Sequence, residues 1–255
     1  LGMPALVIDL GQRFGRMMNY GDGLYAGQFM GGMYAEAFFS EDLEAIVRAG
    51  LACIPAESQY AEMVRDVLAW HAEDPADWQR AWQLVKAKYY DNPDYHRYAG
   101  AGIDAKVNGA YVLIGLLYGD GDPDQTIKIS CRCGLDSDCN PSSAAGVLFT
   151  TIGRNRLPGR FKDKLNQEAV FSHTAYSFTA LLAACEGLAR QAVLKQGGSI
   201  ETDADGREVF VIPAIQPRPG PVERSWEPGP IAGSVFTADE RALIRFRDEL
   251  SVALE

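Results

Sequence analysis

Apolar residues recur at helical spacing along most of this sequence, and the breaks between runs fall at proline, glycine and acidic clusters. Residues 23–39 hold small and large apolar side chains (Ala26, Phe29, Met30, Met33, Ala37), which predicts a buried helix packed closely at Gly27, Gly31 and Gly32. Ser40 reads as the N-cap of the next helix. Glu41 and Asp42 stand in its first turn, where negative charge complements the dipole, and Leu43, Ile46, Val47 and Leu51 share one face. Pro55 closes that run. Ser58 caps a segment whose stripe is Met63, Val67, Leu68 and Trp70 or His71, and Pro75 at N1 opens another carrying Trp78, Trp82, Val85 and Tyr89. Asp91-Asn92-Pro93-Asp94 is a turn.

Helical signals resume over 104–118, break at Gly119-Asp120-Gly121-Asp122-Pro123 and continue to about Cys133. Further apolar helices are predicted over 141–152 and 175–195, the second being the longest. Only 199–212 reads as strand, a hairpin near residues 198–212 turning at Thr202-Asp203-Ala204-Asp205-Gly206, with Val209, Val211 and Ile212 on the return. The prolines of 213–236 predict an extended surface arm, and Thr237 with Glu240 forms a capping box for a last helix through Leu243, Phe246 and Leu250. No solenoid repeat is present. The pattern predicts an all-α orthogonal multi-helix bundle with one small β-hairpin, residues 1–255 forming a single domain.

Composition narrows the function classes. With 24 basic and 34 acidic residues the net charge is −10, so a broad basic face for nucleic-acid backbones is excluded. The longest apolar run, around 110–118, is about nine residues, roughly half a membrane span, so the sequence reads as soluble, with no membrane partner. Five scattered cysteines, an odd number, predict reduced thiols and a cytoplasmic setting rather than a disulfide framework. Cys131, Cys133 and Cys139 cluster, but C-x-C-x5-C has no second pair, and His71, His96 and His173 are not adjacent, so structural zinc is not expected.

Chemistry concentrates in Gly134-Leu135-Asp136-Ser137-Asp138-Cys139-Asn140-Pro141. Two carboxylates two residues apart can face one locus, where they repel unless a cation or proton lies between them. Hard oxygen donors suit Mg²⁺, Mn²⁺ or Ca²⁺. The bland alternative is a turn and cap: Asn140-Pro141 reads as an Ncap–N1 pair, and Asp138 gains from the helix dipole. Asp136, ahead of that cap, has no such role. An EF-hand fails because Pro141 and Val147 stand at its glycine and glutamate positions. A phosphohydrolase of the haloacid dehalogenase type needs residues 127–133 to be a strand within an α/β fold.

The segment 134–153, G-L-D-S-D-C-N-P-S-S-A-A-G-V-L-F-T-T-I-G, resembles the C-terminal metal motif of the ADP-ribosylglycohydrolase family. Leu157-Pro158 with Phe161, Lys164 and Leu165 is similar to the family's proline and amphipathic turn after that helix, and the helices predicted over 22–37 and 40–55 are similar to those before it. The resemblance spans residues 19–190. It implies an all-α fold holding two Mg²⁺ or Mn²⁺ ions at the base of a cleft, and hydrolysis of the glycosidic bond joining ADP-ribose to a protein side chain or a small acceptor. By that likeness Asp136 and Asp138 are the catalytic metal ligands. Cys139 occupies the place of a threonine ligand, although a thiol suits Mg²⁺ poorly. Asn19, Tyr20 and Asp22 fall where the family places substrate-facing residues. Trp78, Trp82 and Tyr89 are read as core, Asn108 as a satisfied core amide in preference to a cleft-facing one, and His173 as an N-terminal helix residue.

The family completes its binuclear site with a T-D-D motif, which is absent here; the nearest string, Thr202-Asp203-Ala204-Asp205, lies in the predicted hairpin turn. The expectation is therefore that the chain is the C-terminal portion of a longer enzyme, inactive alone, whose partner is the missing N-terminal segment. The alternative is a non-catalytic ADP-ribose-binding or structural relative with an incomplete metal site.

Overall fold

A computed structural model of the chain describes residues 1–95 and 103–223. His96 and the predicted helix beginning at Thr237 lie outside the described residues, as does the predicted arm from residue 224 onward. The order is α1 (Pro4–Leu10), α2 (Asp22–Ala37), α3 (Leu43–Leu51), α4 (Gln59–Glu73), α5 (Trp78–Val85), α6 (Ala105–Tyr118), α7 (Pro123–Cys133), α8 (Cys139–Ile152) and α9 (Phe178–Lys195). The hairpin β1 (Ser199–Thr202) and β2 (Glu208–Val211) comes next. α1 and α5 run on into π-helical turns, Gly11–Gly15 and Lys86–Tyr90, and a 3-10 turn spans Gly159–Phe161.

Helix α6 is apolar all round, which places it at the centre: eleven of its fourteen residues are buried. Helices α2, α4, α5, α7 and α8 pack on it. Phe29 and Met33 of α2 meet Tyr60, Val64 and Val67 of α4 in one continuous core, with Phe29 and Tyr60 rings tilted at 5.5 Å. Burying a side chain such as Phe29 contributes about 1.5–3 kcal/mol. Glycines set the closest crossings: a Cβ on Gly32 of α2 would lie 2.9 Å from the Gly50 backbone of α3. One on Gly115 of α6 would lie 2.4 Å from Ser130 of α7. The hairpin is antiparallel with Ser199 opposite Val211 and Thr202 opposite Glu208, as its alternating segments predict. Its turn carboxylate Asp203 accepts from the N–H groups of Asp205 and Arg207. Trp78 and Trp82 lean on the core and Tyr89 is fully buried, as their helical spacing predicts.

Several boundaries differ from the sequence reading, each for a local reason. Asp42 rather than Ser40 caps α3, because its carboxylate accepts from the Ala45 N–H at 3.0 Å while Ser40 Oγ accepts from Asp42 itself. Asp77 rather than Pro75 begins α5: Asp74 Oδ1 takes the N–H groups of Ala76 and Asp77 and holds Pro75 in a turn. Gly27 is not a packing glycine; it faces solvent, with nothing within 4 Å of a Cβ placed there. His173 lies in an exposed turn ahead of α9 with φ of 60°. Residues 127–133 are helix, not strand, and the sheet among the described residues is a two-stranded antiparallel hairpin, so the dehalogenase-type phosphohydrolase falls. No helix among the described residues is long and apolar enough to cross a membrane.

Candidate metal centre

The acidic segment is the link between α7 and α8. Trp82 Nε1 donates to the Cys133 carbonyl at 2.9 Å, which fixes the end of α7. The chain then reverses through two consecutive residues of positive φ, Gly134 at 89° and Leu135 at 56°. The first is natural to glycine; the second is a strained position for leucine. This reversal directs Asp136 and Asp138 to one side. One ligand atom from each of Asp136, Asp138 and Cys139 lies within 4.8 Å of the other two. The three donors are thus close enough to share one locus.

The cap differs from the sequence reading. Helix α8 starts at Cys139, leaving Pro141 within a first turn whose N–H groups lack helical partners. Asp138 occupies the N-cap position but makes no side-chain cap bond. Asp136 Oδ1 instead accepts from the Cys139 N–H at 3.2 Å. Asp136 thus combines a cap with a position beside Asp138, while the Asp138 carboxylate makes no such bond. A hydrogen bond shared with Asp138, then the bonds from Cys139, hold the Asp136 carboxyl below its ordinary range. The Cys139 thiol is pushed up by its hydrogen bond to Asp136 and by both negative charges. It therefore stays a neutral thiol where a hard ion prefers oxygen. All five cysteines are free, and no histidine joins the acidic group among the described residues.

The first turn of α6 stands behind this loop. Asp104 caps α6 through the N–H groups of Lys106 and Val107, at 2.8 and 3.0 Å. Lys106 Nζ, on a residue only 7% exposed, reaches Asp104 Oδ2 at 3.3 Å and Asp22 Oδ2 at 3.6 Å. Asp22 Oδ1 accepts from the Tyr60 N–H at the start of α4. Asp22 therefore joins α2, α4 and α6, and burial raises its carboxyl despite the pull of Lys106. Asn19 and Tyr20 are exposed just ahead of α2. No hydrogen bond or ion pair among the described residues links Asn19 or Tyr20 to the acidic loop.

Two contacts differ from the sequence reading: Asn108, read as a core amide in preference to a cleft-facing one, and Glu223, not singled out by it. Asn108 bonds the acidic loop itself; its signal was a polar side chain with Asp104 and Lys106 at the head of an otherwise apolar run. Glu223, about 200 residues away, accepts from Gly21 N–H at 3.0 Å, pairs with Arg16, and donates its own N–H to Tyr25 Oη at 2.6 Å. No local pattern announces that contact.

The sequence model of the ADP-ribosylglycohydrolase family matches residues 1–197 of the 255. No curated protein and no solved structure matches the chain.

Proposed function

This chain belongs to the ADP-ribosylglycohydrolase family, and from that membership we propose that it holds Mg²⁺ or Mn²⁺ through Asp136 and Asp138 for hydrolysis of the N- or O-glycosidic bond of an ADP-ribose conjugate. The observation that supports the reading is the convergence of these two carboxylates with Cys139 on one open locus at the head of α8. Two carboxylates supply the oxygen donors a hard cation takes, while the neighbouring Cys139 thiol suits such an ion poorly.

When bound, such a cation supplies charge to polarise ribose hydroxyls and a water near the anomeric carbon, which favours an oxocarbenium-like transition state. The protein's own part is positional. Asp136 holds its carboxylate by capping α8, and Asp138 presents oxygens without a cap bond. In this reading Asn19, Tyr20 and Asp22 form the segment facing the conjugate, with Asp22 steadied by the Tyr60 N–H and Lys106. The substrate is an ADP-ribosylated protein or a small ADP-ribose conjugate, and the free thiols fit a reducing compartment such as the cytoplasm.

Asp136→Ala and Asp138→Ala in the complete gene product should each abolish Mg²⁺-dependent release of ADP-ribose. Unchanged release in either variant refutes the assignment. The second reading, a relative that binds ADP-ribose without turnover, has one observation in its favour: the described residues hold a single acidic group of this kind. ADP-ribose binding with little Mn²⁺ affinity and no release in the full-length protein would select it.

A further inference from the structure

We infer that Asn108 is a positioning residue that sets the spacing of the Asp136 and Asp138 carboxylates, an inference that rests on the metal reading above. The acidic loop is held by its own chain only locally. Ser137 N–H bonds Leu135 O, Asn140 N–H bonds Asp136 O, and Ser142 N–H bonds Asp138 O. None of these fixes the loop relative to the rest of the bundle. Among the described hydrogen bonds, the two that tie residues 136–140 to another element both end on Asn108 Oδ1. Asp136 N–H donates to it at 3.4 Å and Asn140 Nδ2 at 2.8 Å. Because a backbone N–H can only donate, the amide orientation of Asn108 is set by chemistry: its oxygen faces the loop, and its nitrogen donates to the Asp104 carbonyl at 3.1 Å.

One oxygen thus gathers the start of the acidic pair and the residue just past it. Asn140 is 4% exposed, so its amide has no ready substitute in water. The stem of the contact is rigid, since Asn108 stands one turn above the Asp104 cap and beside the Lys106 bridge to Asp22. The Asp136 and Asp138 carboxyls stand on a loop with positive φ at Gly134 and Leu135, and without this clasp no other described hydrogen bond from outside the loop fixes their spacing. Residues that orient metal ligands from behind typically change affinity about 10–100-fold when lost.

The size of the ion distinguishes positioning from general loosening. Mg²⁺ demands near-ideal geometry at about 2.1 Å, whereas Ca²⁺ accepts longer and more flexible coordination. In the 255-residue chain, Mn²⁺ binding is followed by electron paramagnetic resonance, with Mg²⁺ and Ca²⁺ measured by competition. Asn108→Ala is expected to weaken Mg²⁺ at least about tenfold and Ca²⁺ by less than about threefold. Asn140→Ala, which leaves α6 untouched, should shift the preference in the same direction by a smaller factor and serves if the first variant does not fold. Equal loss for both ions, or no loss, overturns the positioning role. The Asp136 amide, followed by hydrogen exchange without metal, separates the two ideas. If the wild-type chain binds no Mn²⁺, Asn108→Ala must still speed exchange at Asp136 or the clasp fails, while the metal reading itself stands or falls on the Asp136→Ala and Asp138→Ala release assay.

Discussion

Helix α2 offers one substitution with two opposite outcomes, because Gly27 and Gly32 lie in the same interior stretch but face different surroundings. Replacing a helix-interior glycine by alanine gains about 0.8–1 kcal/mol from the reduced freedom of the unfolded chain. At Gly27 nothing lies within 4 Å of the new methyl, so the whole gain survives. At Gly32 the methyl would sit 2.8 Å from Cys53 Sγ and 2.9 Å from Gly50 Cα, against an ordinary carbon contact of about 3.5–4.0 Å. Cys53 is fully buried and Gly50 Cα is backbone, so α3 itself must move away from α2. Overpacking of this kind costs about 1–3 kcal/mol, and a backbone neighbour places it in the upper part of that range. The net expectation is a gain of about 1 kcal/mol for Gly27→Ala and a loss of about 1–2 kcal/mol for Gly32→Ala. For a chain of this length that is about 2–4 °C up and about 2–8 °C down in Tm. Urea denaturation of both variants under reducing conditions, followed by far-ultraviolet circular dichroism, measures the difference. A Gly32→Ala variant as stable as wild type would show that the α2–α3 crossing is not set by glycine contact.

Glu223→Ala should loosen the segment ahead of α2, because it removes the acceptor of the Gly21 N–H and the partner of Arg16. Hydrogen exchange at Gly21 is expected to speed by about tenfold, equivalent to about 1.4 kcal/mol for a charge-assisted bond, and unchanged exchange would remove the tether from the account. Asp22 gives a pH signature. Its carboxyl is raised above 3.8 by burial, so the folded chain binds that proton more tightly than the unfolded chain. This group's contribution to stability is therefore present below the ordinary carboxylate value and is lost as pH rises through the folded value. A carbon-13 carboxyl titration should place the Asp22 midpoint above that of exposed aspartates, and Asp22→Asn should remove that part of the fall; a midpoint at or below 3.8 contradicts it.

Much of this architecture is legible in the order of residues. The runs at 43–51 and 59–73 carry helical periodicity strong enough to name their buried faces, and Ser58 caps α4 as its residue type predicts. The break at Gly119–Pro123 is a loop with Asp122 as cap and Pro123 at N1. The spacing of Asp136 and Asp138 marked them for chemistry, and the family match agrees with the resemblance those residues carried. Less was legible at α1, where Pro4 at N1 begins a helix with one buried residue, Ile8. It lacked the apolar stripe that identifies the others.

The sequence by itself determined that the chain forms apolar helices, where most of them begin, and which acidic pair stands apart, because periodicity and capping are local properties of neighbouring residues. Only the tertiary structure decided that Gly32 is a contact and Gly27 is not, that Asp136 rather than Asn140 meets the first N–H of α8, and that Asn108 and Glu223 reach their distant segments. Those outcomes depend on which helix lies opposite, and one-dimensional spacing carries no record of the facing surface.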